Sequence, residues 1–377
     1  MLPNIVVSLF LSKIIPLAGS ILAFLSIVTV HEFGHFIFCK IFNVRTPTFS
    51  VGIGPVLLKR TFWETEFQLA LLPLGGFVEI GGLSEPGQGD QSHAEDETEE
   101  SFKTKPYWQK MLILWGGIVF NLLFAFAIYF GLFLTGMPKS KIQEIKISSV
   151  SEGGPAQKAG LMAGDIIVGV DKKLFKEPNK PISANEFGNK IMTSNGIPLH
   201  FFIKREEKTL SIHITPESDD PSDATSPARI KASLSSVLEY EKTDGVGIVE
   251  SISKSCSLIT EIVSGSFATI KNLIKNRTLN GIGGPVMIAS QLFKSAESSF
   301  FLFLLLIASV NIGLATMNVL PLGALDGGQI LFATLEMLLQ RRLSDSFKIG
   351  VNVVSLVLFG LLFAYLIFKD TLALFGK

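Results

Sequence analysis

His31-Glu-Phe-Gly-His35 lies near the end of an apolar segment that runs from Pro16 to Phe38 and closes with Ile27-Val-Thr-Val-His-Glu-Phe-Gly-His-Phe-Ile-Phe38. About 20 helical residues cross the hydrocarbon core of a bilayer, so this segment predicts a membrane-spanning helix. Ionisable side chains inside such a helix cost free energy and usually serve a function. The fold is therefore expected to be built in a membrane around these residues.

The spacing of the two histidines predicts a metal site. Residues four apart in an α-helix share one face, so His31 and His35 can present their imidazoles to one ion. The His-Glu-x-x-His spacing is that of zinc metallohydrolases, in which the glutamate is the general base for a water molecule. Glu32 holds that position. An alternative stays open, in which the histidines cap the helix at the membrane surface and bind carbonyl groups.

A third ligand is expected near the end of a later apolar segment. Catalytic zinc usually has three protein ligands and one open position. Asp326 is the sole acidic residue between Phe300 and Leu335, and it lies in the stretch Asn318-Val-Leu-Pro-Leu-Gly-Ala-Leu-Asp-Gly-Gly328. The proline and glycines predict a break in the helix, which a membrane tolerates where backbone lines a cavity or packs within protein. Asp326 could instead be only a helix N-cap.

The composition is that of a membrane protein. Hydrophobic residues make up 47% of the 377 residues and charged residues 18%, with a mean hydropathy of +0.44. Lysine plus arginine equals aspartate plus glutamate, 33 each, so no charge excess indicates a nucleic-acid partner. The two cysteines exclude a disulfide framework and a CxxC zinc site. Three further segments are long enough to cross a bilayer: Met111–Leu134, Phe300–Leu320 and Ile349–Phe368.

Lysine and arginine in the short loops predict the orientation of these spans. Basic residues cluster between the first and second spans and again between the third and fourth, at Arg341, Arg342 and Lys348. Cytoplasmic loops carry such an excess, so both loops are expected to be cytosolic. The long segment between the second and third spans, and both termini, are then expected on the opposite side.

The long segment contains a β-rich module. Isoleucines at 142–147 predict a strand, a buried strand follows Asp165, and Leu199–Ile214 alternates as a hairpin. The pattern Gly-Pro-Ala-x-x-Ala-Gly-Leu-x-x-Gly-Asp-x-Ile, from Gly154 to Ile167, resembles a bacterial PDZ domain. PDZ domains bind extended peptides by adding a strand to a sheet edge; an inert spacer is the alternative.

The predicted divisions are residues 1–135 with two spans and a β-hairpin loop, 136–216 (PDZ domain), 217–298 (linker and amphipathic segment) and 299–377 with two spans.

These motifs together resemble the site-2 protease family, in its bacterial sigma-factor-activating branch. The resemblance rests on the HExxH segment, the NxxPxxxLDG segment and the inserted PDZ domain. It implies an α-helical polytopic membrane protein with four transmembrane helices, a membrane-associated β-hairpin and an α+β PDZ insert. It also implies Zn²⁺ held by His31, His35 and Asp326, with Glu32 polarising the water. Larger relatives carry two PDZ domains, whereas one copy is recognisable here.

The resemblance further implies how substrates bind. The Asn318 amide would hold the substrate or the oxyanion, and Gly75, Gly76 and Phe77 would receive the substrate as an added strand. An ordinary interfacial hairpin is the alternative. Expected partners are single-span membrane proteins such as anti-sigma factors, remnant signal peptides, peptide ends at the PDZ domain, and lipid. The expected location is the bacterial inner membrane, with the PDZ domain on the extracytoplasmic side.

Two other functions and one other site stay open at the sequence level. A non-catalytic PDZ-containing receptor would bind no stoichiometric zinc. A metal transporter would need more intramembrane ligands along a path than two clusters provide. The acidic stretch from Glu85 to Glu100, which contains His93, could hold a cation, although a solvated loop is the stronger interpretation.

Overall fold

A computed structural model describes residues 2–83, 97–171, 173–174, 184–206, 208–218, 227–276 and 283–374. The α-helices in these ranges are α1 (Leu2–Ile41), α2 (Tyr107–Thr135), α3 (Pro155–Lys158), α4 (Ala184–Met192), α5 (Ile248–Asn276), α6 (Pro285–Ser298), α7 (Phe300–Asn318), α8 (Asp326–Leu339) and α9 (Asp345–Leu374). The strands are β1 (Thr48–Phe62), β2 (Thr65–Val78), β3 (Pro138–Val150), β4 (Ile166–Val170), β5 (Lys173–Leu174), β6 (Leu199–Arg205), β7 (Lys208–Ile214), β8 (Glu217–Ser218), β9 (Ala228–Arg229) and β10 (Ala232–Lys242).

The chain forms two compact units. One comprises Met1–Gly136 together with Gly245–Lys377, and the other comprises Met137–Asp244. Four helices of the first unit, α1, α2, α7 and α9, are long and apolar enough to cross a membrane. The four predicted spans are confirmed as helices of that kind.

Helices α1 and α2 approach each other at backbone distance. A Cβ on Gly34 would lie 2.2 Å from the carbonyl oxygen of Gly116, and a Cβ on Gly116 would lie 2.5 Å from that of Gly34. Small residues permit such contact between membrane helices, where packing and hydrogen bonds drive association. The pair therefore fixes how closely the histidine-bearing helix approaches α2.

The predicted break in the third span is present. Helix α7 ends at Asn318, and α8 begins at Asp326 after a short connection. Within that connection the Gly323 N–H donates to the Ser355 hydroxyl of α9 over 3.0 Å. The N-cap position of α8 belongs to Leu325, so Asp326 is the first helical residue rather than the cap.

Strands β1 and β2 form the β-hairpin of the first unit, which is confirmed as a strand region around Glu66–Pro73. Residues 48–51 pair with two parts of β2: Phe49 lies opposite both Phe67 and Val78, and Ser50 lies opposite both Gln68 and Phe77. This arrangement leaves Gly76–Val78 on the outside of the curled hairpin. The outer segment is the part of β2 that reaches the functional site.

The second unit is a sheet in the order β10-β3-β4-β6-β7, with β5 on β4. Its core includes Ile147, Ile167, Phe201 and Ile203, which are fully buried. The predicted strands near Ile142–Ile147 and Asp165 and the hairpin Leu199–Ile214 are all present.

The predicted end of this unit at residue 216 is wrong. The compact unit extends to Asp244, because β10 pairs with β3 along its length and Ala228 and Ile230 are buried. A serine-rich strand that follows a polar run has weak periodicity, and the strand with which it pairs lies about 90 residues earlier in the chain.

The predicted amphipathic segment contains α6 and the long helix α5. Helix α5 spans 29 residues, and its Leu258, Ile259 and Ile262 pack against a cluster that contains Tyr129. The acidic stretch is only partly described, and His93 lies outside the described residues.

Candidate metal centre

The fold brings the three predicted ligands to one point. His31 and His35 come from α1, and Asp326 comes from the first turn of α8. The two Nε2 atoms lie 3.3 Å apart. Asp326 Oδ2 lies 3.2 Å from His31 Nε2 and 3.5 Å from His35 Nε2. Within the part of the chain that the structure describes, this is the group of three such side chains that could hold a metal ion.

The triangle has the size that zinc requires. Tetrahedral zinc with ligand bonds of about 2.0–2.1 Å separates its ligand atoms by about 3.3 Å. The three measured edges, 3.2, 3.3 and 3.5 Å, match that separation. Oδ2 of Asp326 is also buried, and no hydrogen bond satisfies it among the described residues. Three electron-pair donors that face one another in a buried place fit a bound cation.

The orientation of the second histidine favours this interpretation. His35 Nδ1 lies 2.8 Å from the carbonyl oxygen of Ile113 in α2. A carbonyl only accepts hydrogen bonds, so Nδ1 carries the proton and Nε2 keeps its lone pair. That lone pair is on the nitrogen nearest Asp326. A histidine that binds metal usually donates its other N–H in this way.

A glycine makes room for both imidazoles. A Cβ on Gly117 would lie 2.4 Å from His35 Nε2, 2.6 Å from His31 Cε1 and 2.7 Å from His31 Nδ1. Real Cβ atoms do not approach other atoms so closely, so a larger residue would displace the rings. Gly117 is therefore part of the site by leaving space.

Glu32 lies beside the ligand triangle and faces the hairpin. Its Oε2 accepts a hydrogen bond of 3.0 Å from the Val78 N–H. This contact connects the predicted general base to the outer segment of β2. The carboxylate is thus oriented by backbone, which leaves its other oxygen for the chemistry of the site.

The predicted substrate-binding residues lie on two sides of this arrangement. Asn318 is the last residue of α7, and its Nδ2 lies 3.3 Å from His31 Nε2. Gly75, Gly76 and Phe77 occupy the end of β2 next to Val78. The structure therefore brings Asn318 close to His31, and it brings the glycine segment close to Glu32 through the adjacent Val78.

Sequence reasoning missed two contributors, the Ile113 carbonyl and the Val78 N–H. Backbone groups act here irrespective of side chain, so residue type gave no signal for either. Gly117 and Asn121 of α2 also lie against the histidines, and the sequence analysis assigned neither of them to the site. A glycine and an asparagine four residues apart in an apolar helix is the signal that could have indicated it.

Comparisons with known proteins agree with this geometry. The family model of peptidase family M50 matches residues 19–362. A protein of Clostridium perfringens that is named a zinc metalloprotease is 28% identical over 93% of this chain and 97% of its own length. Another of that name from Synechocystis is 30% identical over 92% of each chain. A chloroplastic membrane metalloprotease of Arabidopsis thaliana is 28% identical over 93% of this chain and 77% of its own length.

Proposed function

The chain belongs to peptidase family M50, and from that premise we propose that it hydrolyses peptide bonds in the membrane-spanning segments of other proteins. The protein is a zinc metalloprotease with several membrane spans. The observation that carries the proposal is the triangle of His31, His35 and Asp326, with Glu32 in the same helix as the histidines. That helix, α1, is long and apolar enough to cross a membrane, and Asp326 follows a second helix of that kind, α7. In this proposal the three side chains of the triangle hold Zn²⁺ and Glu32 is the general base.

Zn²⁺, when bound, supplies a Lewis acid that polarises the scissile carbonyl and activates water. Glu32 takes a proton from the attacking water at its carboxylate and passes it to the leaving amine. The Asn318 amide, 3.3 Å from His31 Nε2, is placed to donate an N–H to the oxyanion that develops on the carbonyl. Attack on the substrate carbonyl requires that this carbonyl be free of the hydrogen bond that it accepts in a helix.

The outer segment of β2 offers a way to hold the substrate extended. The Glu79 N–H donates inward to the Thr48 carbonyl, whereas the neighbouring Val78 N–H points outward to Glu32. Backbone groups alternate along a strand, so those of Gly76 face outward as well. A substrate strand added at Gly75, Gly76 and Phe77 would satisfy its own backbone there and would run past Glu32.

The substrates that we propose are single-span membrane proteins. Anti-sigma factors and remnant signal peptides fit, since each is one helix that can enter from the side and unwind locally. Regulated intramembrane proteolysis is then the biological setting. Cross-linking from a photoreactive phenylalanine analogue at Phe77 to a co-expressed single-span protein would test the binding mode, and cross-links confined to lipid would contradict it.

For Met137–Asp244 we propose a PDZ domain that binds peptide ends. Its sheet ends in β10, which has a neighbour on one side only in the described sheet. Such an edge can accept a peptide strand. Binding of carboxyl-terminal peptides to the full chain, lost when the peptides are amidated, would test it, and equal binding of both forms would contradict it.

We also propose that the protein lies in a bacterial inner membrane with this module outside the cytoplasm. The basic loops between spans support that orientation. In a chain whose exposed Cys256 is replaced by serine, a cysteine at the exposed Glu152 should react with an impermeant maleimide in intact spheroplasts. Labelling only after lysis would show that the module faces the cytoplasm and would contradict the proposed orientation.

The proteolytic activity is tested by cleavage of a doubly tagged single-span substrate, with zinc measured on each purified protein. Wild type should cut. Glu32→Gln should lose cleavage by at least about 10²-fold, because general-base catalysis contributes that much, while it retains zinc. Asp326→Ala should lose zinc as well, because it removes a ligand.

Glu261→Gln on the exposed side of α5 is the matched control and should cut like wild type. A Glu32→Gln protein with wild-type cleavage would contradict the mechanism. A wild type that binds no zinc and cuts nothing would favour a receptor, and zinc uptake into vesicles would favour a transporter.

A further inference from the structure

One face of α2 forms the wall behind both histidines. Ile113, Gly117 and Asn121 follow one another at four-residue spacing and therefore share a face of the helix. The Ile113 carbonyl lies 2.8 Å from His35 Nδ1, and Gly117 leaves space for the rings. Asn121, which is 0% exposed, places its Nδ2 atom 3.3 Å from His31 Nδ1. The proposed function assigns no role to this amide.

His31 needs a hydrogen-bond acceptor at Nδ1 if its Nε2 binds a metal. A neutral imidazole has one N–H, so an Nε2 that donates its lone pair to a metal leaves the proton on Nδ1. Nε2 of His31 is the nitrogen that faces Asp326 Oδ2 and His35 Nε2. Nδ1 is therefore a donor in the metal-bound site.

The Asn121 amide can supply that acceptor. Its Oδ1 is buried and has no hydrogen-bond partner among the described residues. Oxygen and nitrogen of an amide exchange places when the group turns by half a revolution. That turn places Oδ1 against His31 Nδ1–H, so that one rotation gives both the orphaned oxygen and the ring N–H a partner.

We propose that Asn121 is a positioning residue whose Oδ1 accepts the Nδ1–H of His31 and so holds the tautomer and ring orientation that the metal requires. The Ile113 carbonyl accepts the Nδ1–H of His35 in the same way. The inference rests on the proposed role of His31 as a ligand. Groups that orient a metal-binding histidine in this way typically contribute 10–100-fold to metal affinity.

The test compares two substitutions that differ in hydrogen-bonding capacity. Asn121→Leu keeps the approximate volume and removes the acceptor, whereas Asn121→Asp keeps an acceptor oxygen and removes the amide donor. The zinc dissociation constant of the purified full chain is measured by competition with a chelator. We expect Asn121→Leu to raise it about 10–100-fold and Asn121→Asp to stay within about threefold of wild type.

Asn311→Leu is the matched control. It removes an equally buried amide of α7 whose Nδ2 donates to the Ile307 carbonyl of its own helix, so zinc affinity should not change. Thermal unfolding of each variant reports whether it folds. If Asn121→Leu does not fold, Asn121→Ala replaces it in the comparison with Asn121→Asp, because alanine also lacks the acceptor oxygen.

Three results would overturn the inference. Wild-type affinity in Asn121→Leu would mean that the contact does not matter. Affinity in Asn121→Asp as low as in Asn121→Leu would mean that the amide donates rather than accepts. No zinc in the wild type would remove the premise itself and the proposed function with it, so the two failures can be told apart.

Discussion

At the scale of single residues, the site depends on three glycines, whose lack of a side chain lets neighbouring groups approach closely. Gly34 and Gly116 allow the backbones of α1 and α2 to touch, and Gly117 allows both imidazoles to lie against α2. Helix propensity favours alanine over glycine by about 1 kcal/mol at such positions. Glycine is thus locally unfavourable here, and the close approach of the two helices provides the reason for it.

Gly117→Ala should therefore damage the site without weakening the helix. The added methyl group would lie 2.4 Å from His35 Nε2, so one or both rings must move out of the ligand triangle. We expect substrate cleavage to fall at least about tenfold and the zinc dissociation constant to rise by a similar factor.

Gly131→Ala on the same helix is the control, because a Cβ there meets nothing within 4 Å. It should retain wild-type cleavage and zinc affinity. If Gly117→Ala also binds zinc and cuts like wild type, the space that Gly117 leaves is not required.

At the scale of elements, α9 supports the connection that presents Asp326. The Ser355 hydroxyl accepts the Gly323 N–H, and a Cβ on Gly323 would lie 3.1 Å from the backbone of Asn352. The Gly323 carbonyl in turn accepts a hydrogen bond from Gln329 of α8. The break between α7 and α8 is therefore satisfied by neighbouring helices, as a broken helix at membrane depth must be.

Ser355→Ala should loosen this connection. The buried Gly323 N–H would lose its acceptor, which costs about 1–3 kcal/mol. We expect a lower midpoint of thermal unfolding and a weaker zinc affinity, because Asp326 is three residues further along the chain. Both are measured on the full chain in detergent.

Thr371→Val is the control on the same helix, since the Thr371 hydroxyl donates to Ile367 of its own helix. It should change neither quantity. An unfolding midpoint and zinc affinity of Ser355→Ala that equal those of wild type would show that Ser355 does not hold the connection.

Helix α9 also contacts the Gly284-Pro285 segment, where α6 begins. Asp370 accepts the Gly284 N–H through Oδ1 and the Met287 N–H through Oδ2, and thereby caps α6. A Cβ on Gly284 would lie 2.7 Å from Leu366 Cβ. Pro285 lacks the N–H that the first helical residue leaves unused. The segment therefore lets α6 begin directly against α9.

At the scale of the whole molecule, the proposed metal site belongs entirely to the first unit. Every predicted ligand lies in the unit formed by Met1–Gly136 and Gly245–Lys377. The second unit has an apolar core and an ion pair in which the partly exposed Arg205 donates to the buried Asp165 through Nε over 2.7 Å. Stability of that unit should therefore follow the titration of its own groups.

The ion pair predicts how the second unit responds to acid. Burial raises the pKa of Asp165, but hydrogen bonds from Arg205 and the Met162 N–H outweigh it, so the pKa lies below the ordinary value. A depressed pKa contributes stability above the unfolded value of about 3.9 that is lost as pH falls through the folded value. Asp165→Asn should destabilise the unit by about 1–3 kcal/mol at pH 7, and the difference from wild type should shrink below about pH 4.

Hydrogen-exchange mass spectrometry of Ile166–Val170 in the full chain measures this, after correction for the intrinsic pH dependence of exchange. Glu152→Gln in an exposed turn of the same unit is the control and should match wild type at every pH. A difference for Asp165→Asn that stays constant from pH 7 to pH 3 would contradict the linkage to the carboxylate.

The sequence by itself determined the class of protein, the four apolar spans and which side chains are candidate metal ligands. Long apolar segments can be recognised from consecutive residues alone. The two histidines of HExxH share one helix face because an α-helix has 3.6 residues per turn. The break before Asp326 follows equally from proline and glycine chemistry. The strands near Ile142–Ile147 and Asp165 and the hairpin Leu199–Ile214 were also predictable, because alternation with period two is local.

The tertiary structure alone decided which distant groups complete the site and where the second unit ends. Asp326 meets histidines almost 300 residues earlier, Val78 orients Glu32, and the Ile113 carbonyl orients His35. Strand β10 joins the sheet through β3 although its own pattern reads as polar. Contacts made by backbone groups or by partners far along the chain leave no local mark on residue type, so only the folded packing of the helices and strands brings them together.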